Sequence, residues 1–122
     1  MKPLLLTVGN IYIDHNVFGV NGGAEFTLES GKDYFAASGE HVLGGSAVNA
    51  AMQAQRLGVE VGFIGKTGTD AGAIDVRVLL DKEKILPDLM CEDENNATSM
   101  AINLVAGNGE FIGVQGSCRK RY

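Results

Sequence analysis

Apolar side chains divide the chain into segments of contrasting period. Residues 4–8 form an apolar run that stops at Gly9, the pattern of a short strand buried on both faces of a parallel sheet. Between residues 16 and 42 the texture changes to short mixed stretches, Val17-Phe18-Gly19-Val20 and Glu25-Phe26-Thr27-Leu28. The turn formers Asn21-Gly22-Gly23 and Ser30-Gly31-Lys32-Asp33 separate them. These stretches predict small antiparallel strands at a surface, too poor in apolar residues for a core of their own. Residues 46–57 predict a helix. Ser46 suits the N-cap, alanine and other good formers fill the body, and Gly58 stands where a C-terminal glycine cap belongs. A strand over 59–64 follows. Strand, excursion, helix and strand in that order make a βαβ unit and an α/β fold.

A second helix is predicted over 72–84, with Ile74, Val78 and Leu79 as its apolar stripe and Asp70 near its start. Pro87 and the acidic stretch Glu92-Asp93-Glu94-Asn95-Asn96 predict a loop. Residues 100–105 and 110–114 flank Gly107-Asn108-Gly109 and predict a β-hairpin. Residues 116–122 carry no terminating pattern. A doubly wound sheet needs helices on both faces, so two helices make a thin core.

A length of 122 residues fits one domain, and 45% hydrophobic with 20% charged residues is a globular balance. The 17 glycines have no fixed repeat, which excludes collagen-like and solenoid architectures. They point to tight turns or to backbone lying close to a ligand. A net charge of −5 argues against a nucleic-acid surface, and the basic cluster Arg119, Lys120 and Arg121 reads as a solvated tail. No apolar run approaches the roughly 20 residues of a membrane span, and the start lacks a small-residue cleavage site. Cys91 and Cys118 show neither C-x-x-C nor zinc spacing, which predicts reduced thiols in a cytoplasmic protein. Asn96-Ala97-Thr98 matches a glycosylation sequon, read as accidental without a secretory signal.

Ligands of open α/β sheets bind beyond the carboxyl ends of the strands, and three places qualify. Asn10 and Asp14 follow the first strand. A carboxylate there can accept hydrogen bonds from neighbouring hydroxyls, as a polyol offers; on this feature alone an Asn and an Asp capping a turn is the favoured reading. Gly44-Gly45-Ser46-Ala47-Val48-Asn49 opens the first helix. Two glycines let backbone N–H groups approach a ligand, with Asn49 one turn in; a glycine-rich helix start with Asn49 in packing or in solvent is the alternative. Gly65-Lys66-Thr67-Gly68-Thr69-Asp70 follows the second long strand. It is not a P-loop, because Glu60 stands where that motif needs glycine, and no G-x-G-x-x-G follows the first strand. Asp70 is read as the cap of the next helix. His15 and His41 suit acid–base work by type but show no partner, and hydrolase motifs are missing.

Gly44-Gly45-Ser46-Ala47-Val48-Asn49-Ala50-Ala51, then Leu57-Gly58, Gly65 and Gly68-Thr69-Asp70-Ala71-Gly72, together resemble the first signature of the ribokinase/PfkB carbohydrate kinases. Val8-Gly9-Asn10-Ile11-Tyr12-Ile13-Asp14 is similar to that family's opening strand, and Thr98-Ser99-Met100-Ala101-Ile102 with Gly107-Asn108-Gly109-Glu110 to its next landmark. The resemblance spans nearly the whole chain. It implies a ribokinase-like three-layer αβα fold with a parallel-type sheet, incomplete, plus a small β-strand lid within about 16–43 and 98–106. Asp14, Gly44, Gly45 and Asn49 would hold the hydroxyls of a sugar or nucleoside, with Asn10 in support. The lid would close over the substrate and exclude water, and it offers a possible homodimer contact.

The family's second signature, with its catalytic base and anion hole, has no counterpart here: no Asp-Thr-x-Gly-Ala-Gly-Asp-like run occurs. Residues 1–122 therefore read as the amino-terminal part of one ribokinase-like domain, without catalytic or metal residues. ATP and Mg2+ are implied for the complete family protein and not expected on this chain alone. The leading expectation is an ATP-dependent carbohydrate or nucleoside kinase represented by its substrate pocket and lid. The alternatives are a non-catalytic polyol- or nucleoside-binding module and a lid-mediated dimerisation partner.

Overall fold

The computed structural model describes residues 5–23 and 26–116. Leu4, Glu25, Cys118 and the basic tail lie outside that set, and so does most of the segment 116–122.

The first strand, β1 (Leu5–Val8), pairs in parallel with a later strand, β4 (Val61–Ile64), with Leu5 opposite Val61 and Val8 opposite Ile64. Helix α1 (Ser46–Arg56) precedes β4 and packs on both strands, which completes the expected βαβ unit. Between β1 and α1 the chain makes β2 (Tyr12–Phe18) and β3 (Ser38–Gly44). After β4 come the two-residue β5 (Lys66–Thr67), helix α2 (Ala71–Lys82) and the two-residue β6 (Cys91–Glu92), which pairs with β5. The hairpin of β7 (Met100–Val105) and β8 (Phe111–Gly116) closes the described chain. Sheet order is β3-β2-β7-β8: β2 runs antiparallel to β3 and parallel to β7, and β7 runs antiparallel to β8.

One core joins these elements. Val48 and Ala51 of α1, Val61 and Phe63 of β4, and Val76 and Leu80 of α2 are fully buried together with Ile11, Ile13 and Ile85. Each larger side chain among them contributes about 1.5–3 kcal/mol by leaving water. Leu43 joins them from β3, so the inner ends of β2 and β3 are anchored on the helices while their outer ends project.

Several expectations change. Residues 5–8 are not buried on both faces: Leu6 and Val8 are 51% and 68% exposed, because among the described residues β1 has only β4 beside it and α1 over it. The predicted strand around 25–28 is absent from Phe26 onwards. That loop is organised instead by the Tyr34 hydroxyl, which donates to the Thr27 carbonyl at 2.8 Å and accepts from the Glu29 N–H at 3.1 Å. Ser46 is the first helical residue rather than the N-cap; Gly45 holds that place without a side-chain cap. The buried stripe of α2 is Ala73, Val76 and Leu80; of the predicted residues Leu79 packs half-buried against the core, while Ile74 and Val78 are exposed. Gly58 does end α1 with φ +90, its N–H bonded to the Gln55 carbonyl.

Candidate functional site

Alternation along β2 places Tyr12, Asp14, Asn16 and Phe18 on one face and Ile13, His15 and Val17 on the other. The buried Ile13 fixes which face meets the core, so Asp14 faces away from it, beside β3. There Gly44 is buried, and a β-carbon on it would overlap the carboxylate of Asp14. Glycine at 44 thus gives Asp14 its place. Burial pushes the Asp14 carboxyl above the usual carboxylate range, and the charge of neighbouring His15 offsets part of that rise. A half-buried carboxylate of this kind accepts hydroxyl donors strongly because little water competes for it.

Gly45 adopts φ +110, and a β-carbon there would stand 2.5 Å from the Asn10 carbonyl oxygen. Two constraints therefore require glycine at 45: backbone geometry and the turn after β1. The Asn49 N–H donates to the Gly45 carbonyl at 2.9 Å, and the Asn49 side chain is exposed. The structure thus brings Asp14 against Gly44 and Asn10 against Gly45, and ties Asn49 to Gly45 through backbone. Asn10 and Asp14 line different hollows. Asn10 borders one of about 270 Å³ at the carboxyl ends of β1 and β4, with Gly9, Gly65, Lys66 and Ser99. Asp14 borders one of about 390 Å³ on the β3-β2-β7-β8 sheet, with Asn16, Ala101 and Asn103. A larger hollow of about 630 Å³, between Phe26, Thr27 and the hairpin residues Ala106, Glu110 and Phe111, contains none of the predicted residues. It is an opening between a loop and a hairpin, with a single carboxylate and no convergent groups.

The run 65–72 has a structural role. Asp70 caps α2, accepting from the Ala73 N–H at 3.2 Å, and also accepts from the N–H and the hydroxyl of the buried Thr98. Those bonds, the Thr98 hydroxyl foremost, hold its carboxyl below the usual range. Thr98 in turn accepts from the Gly68 N–H at 3.0 Å. A β-carbon on Gly68 would strike the Asn96 carbonyl, so the glycine permits this contact. Lys66 pairs with Asp93 at 2.7 Å, which together with bonds from Asn95 and Asn96 pulls Asp93 well below the usual range and turns the acidic stretch into a stapled loop. His15 and His41 face each other across β2 and β3, with ring centroids 4.4 Å apart and edge to face.

Gly65-Lys66-Thr67 leads into a strand rather than a phosphate-cradling loop, and no group of three His, Cys, Asp or Glu among the described residues could hold a metal ion. Among them, too, no helix is long and apolar enough to cross a membrane.

Sequence reasoning missed three residues beside Asp14. Asn16 donates to Glu40 at 3.1 Å and accepts from Asn103 at 2.8 Å, giving a polar row across β3, β2 and β7. Two signals were present: Asn16 stands two positions after Asp14, hence on its face, and Asn103 interrupts the apolar run Ile102-Asn103-Leu104.

Among solved structures, the chain superposes on Arabidopsis thaliana ribokinase complexed with ribose and ATP with a TM-score of 0.75. Identity is 24%, covering 95% of this chain and 36% of that one. It superposes on the Methanocaldococcus jannaschii nucleoside kinase, an archaeal member of the ribokinase family, with a TM-score of 0.72 at 21% identity, covering 91% and 36%. Both likenesses establish a ribokinase-like fold, partial in extent. In sequence the chain is 27% identical over 114 residues to the bifunctional protein HldE of a Nitratiruptor species, covering 93% of this chain and 24% of that protein. The chain thus spans about a quarter of its curated relative and about a third of the solved structures. The pfkB family carbohydrate kinase pattern matches residues 6–117, and the chain belongs to that family.

Proposed function

We propose that this chain supplies the acceptor-binding pocket and lid of an ATP-dependent kinase acting on a hydroxyl of a carbohydrate or nucleoside. Asp14 accepts hydrogen bonds from ligand hydroxyls, Gly44 and Gly45 keep the backbone close to the ligand, and Asn10 and Asn49 supply further polar contacts. The sheet β3-β2-β7-β8 closes over the bound molecule. In the complete protein, ATP and Mg2+ are held by residues other than these, and the transfer is not assigned to any side chain of this chain. The observation that carries the reading is the partly desolvated Asp14 carboxylate occupying the space that glycine leaves at 44.

Calorimetric titration of the chain with ribose, fructose and adenosine, beside Asp14→Ala, tests it. Charged hydrogen bonds are worth about 1.5–3 kcal/mol, so the variant should bind at least tenfold more weakly. Equally poor binding by both proteins would remove the pocket from this chain.

A second reading, a homodimer through the lid, is favoured by the other sheet face. Met100, Ile102 and Val114 are exposed there beside His15. Sedimentation equilibrium reads it directly: a dimer that Ile102→Lys dissociates supports this contact, and a monomer at all concentrations rejects it.

A further inference from the structure

The polar row beside Asp14 has a direction. Glu40, Asn16 and Asn103 stand side by side on three adjacent strands, joined by two hydrogen bonds. A carboxylate only accepts, so Glu40 draws the NH2 group of Asn16 toward itself. The Asn16 carbonyl is thereby left for the NH2 of Asn103. The Asn103 carbonyl then turns away from Asn16 toward β8, where it meets Gly113; a β-carbon at 113 would stand 3.0 Å from that oxygen.

The groove beside this row presents the acceptor oxygens of Asp14 and of Asn103, with the Gln115 amide as a neutral group that can donate or accept, flanked by the apolar rings of Phe18 and Phe111. The side chains that these strands place on this face carry two formal charges, Asp14 and Glu40, and both are negative; His15 and His41 lie on the opposite face. Hydroxyl groups donate to such a surface. A phosphate brings acceptors and like charge to it.

Building on the pocket reading above, we infer that this groove takes a ligand through its free hydroxyl groups and excludes phosphate, so that its substrate is an unphosphorylated polyol or nucleoside rather than a sugar phosphate. Glu40 is the positioning residue for this selectivity, acting through Asn16 and Asn103 and through its own charge.

The test is a pairwise titration of the chain at neutral pH and low salt, adenosine against adenosine monophosphate and fructose against fructose phosphate, in wild type and Glu40→Gln. Glu40 is exposed, so the variant keeps the core intact, and the readout is a ratio of affinities that a general loss of stability does not move. The neutral member of each pair should bind at least tenfold more tightly. Added salt should narrow the gap by weakening the repulsion of phosphate, and Glu40→Gln should narrow it several-fold. Equal or tighter binding of the phosphorylated member, or a gap that Glu40→Gln leaves unchanged, overturns the inference while leaving the pocket reading intact. Binding of neither member overturns both.

Discussion

The carboxylate of Asp14 fills the space over Gly44 on the neighbouring strand that the β-carbon of any other residue would claim. Gly44→Ala must therefore displace Asp14 or strain β3. Overpacking of this kind costs about 1–3 kcal/mol, read as a lower denaturation midpoint, and ligand binding should fall with it. An alanine variant with unchanged stability and binding would show that Asp14 does not occupy this space.

Asp14 also sets a pH dependence. Its carboxyl titrates above the ordinary 3.8 in the folded chain, so the native state holds that proton more tightly than the unfolded chain does. The stabilisation is complete below 3.8 and is lost as pH rises through the higher native value. Asp14→Asn resembles the protonated form. It should be at least as stable as wild type at neutral pH and lose that advantage in acid, while binding polyols at least tenfold more weakly. Denaturation midpoints of the two proteins across pH measure this, and a neutral-pH loss on substitution would contradict it.

Asp70 works with the opposite sign. Its carboxyl is held below 3.8, so its contribution is present above that value and is lost as pH falls through the native one. Removing a helix cap costs about 1 kcal/mol, and the bonds to Thr98 add to it, so Asp70→Ala should destabilise by about 2 kcal/mol. A double-mutant cycle with Thr98→Val should show coupling of about 1 kcal/mol. Strict additivity would mean that the two side chains do not act together.

Thr67 is fully buried in β5, and its hydroxyl oxygen has no hydrogen-bond partner among the described residues. Thr67→Val removes that hydroxyl while keeping the branched shape. Relieving an unpaired buried polar group should stabilise by about 1 kcal/mol. A destabilised variant would point to a partner for that hydroxyl.

What the sequence disclosed was local. The βαβ unit was legible because α1 has good helix formers ending at Gly58, and the hairpin because Gly107-Asn108-Gly109 parts two apolar runs. The role of Asp70 could be read from its place before α2. Pairings across distance were not legible. Nothing near Asn16 announces that β7 will lie beside β2, so the row from Glu40 to Asn103 could not be assembled from spacing. The stripe of α2 misled for a related reason: Ile74 and Val78 are exposed although apolar, while Val76 and Leu80 of the same helix are buried, and a helix's period does not say which side its neighbours will take. Likewise the apolar content of 5–8 suggested two covered faces, while burial depends on neighbours that those residues do not encode.

The parallel pairing of β2 with β7 joins residues 87 positions apart, as Asn16 and Asn103 show. During synthesis β2 emerges early and waits for most of the chain before its central partner arrives. The helices can form by local contacts meanwhile, but the sheet that carries Asp14 must close a long loop, a slow step by its topology. Until then β2 has only β3 beside it, and its other edge is open to strands of neighbouring nascent chains. Production yield should thus be governed by how quickly residues 100–105 find β2, and slower elongation beyond β3 should lower it.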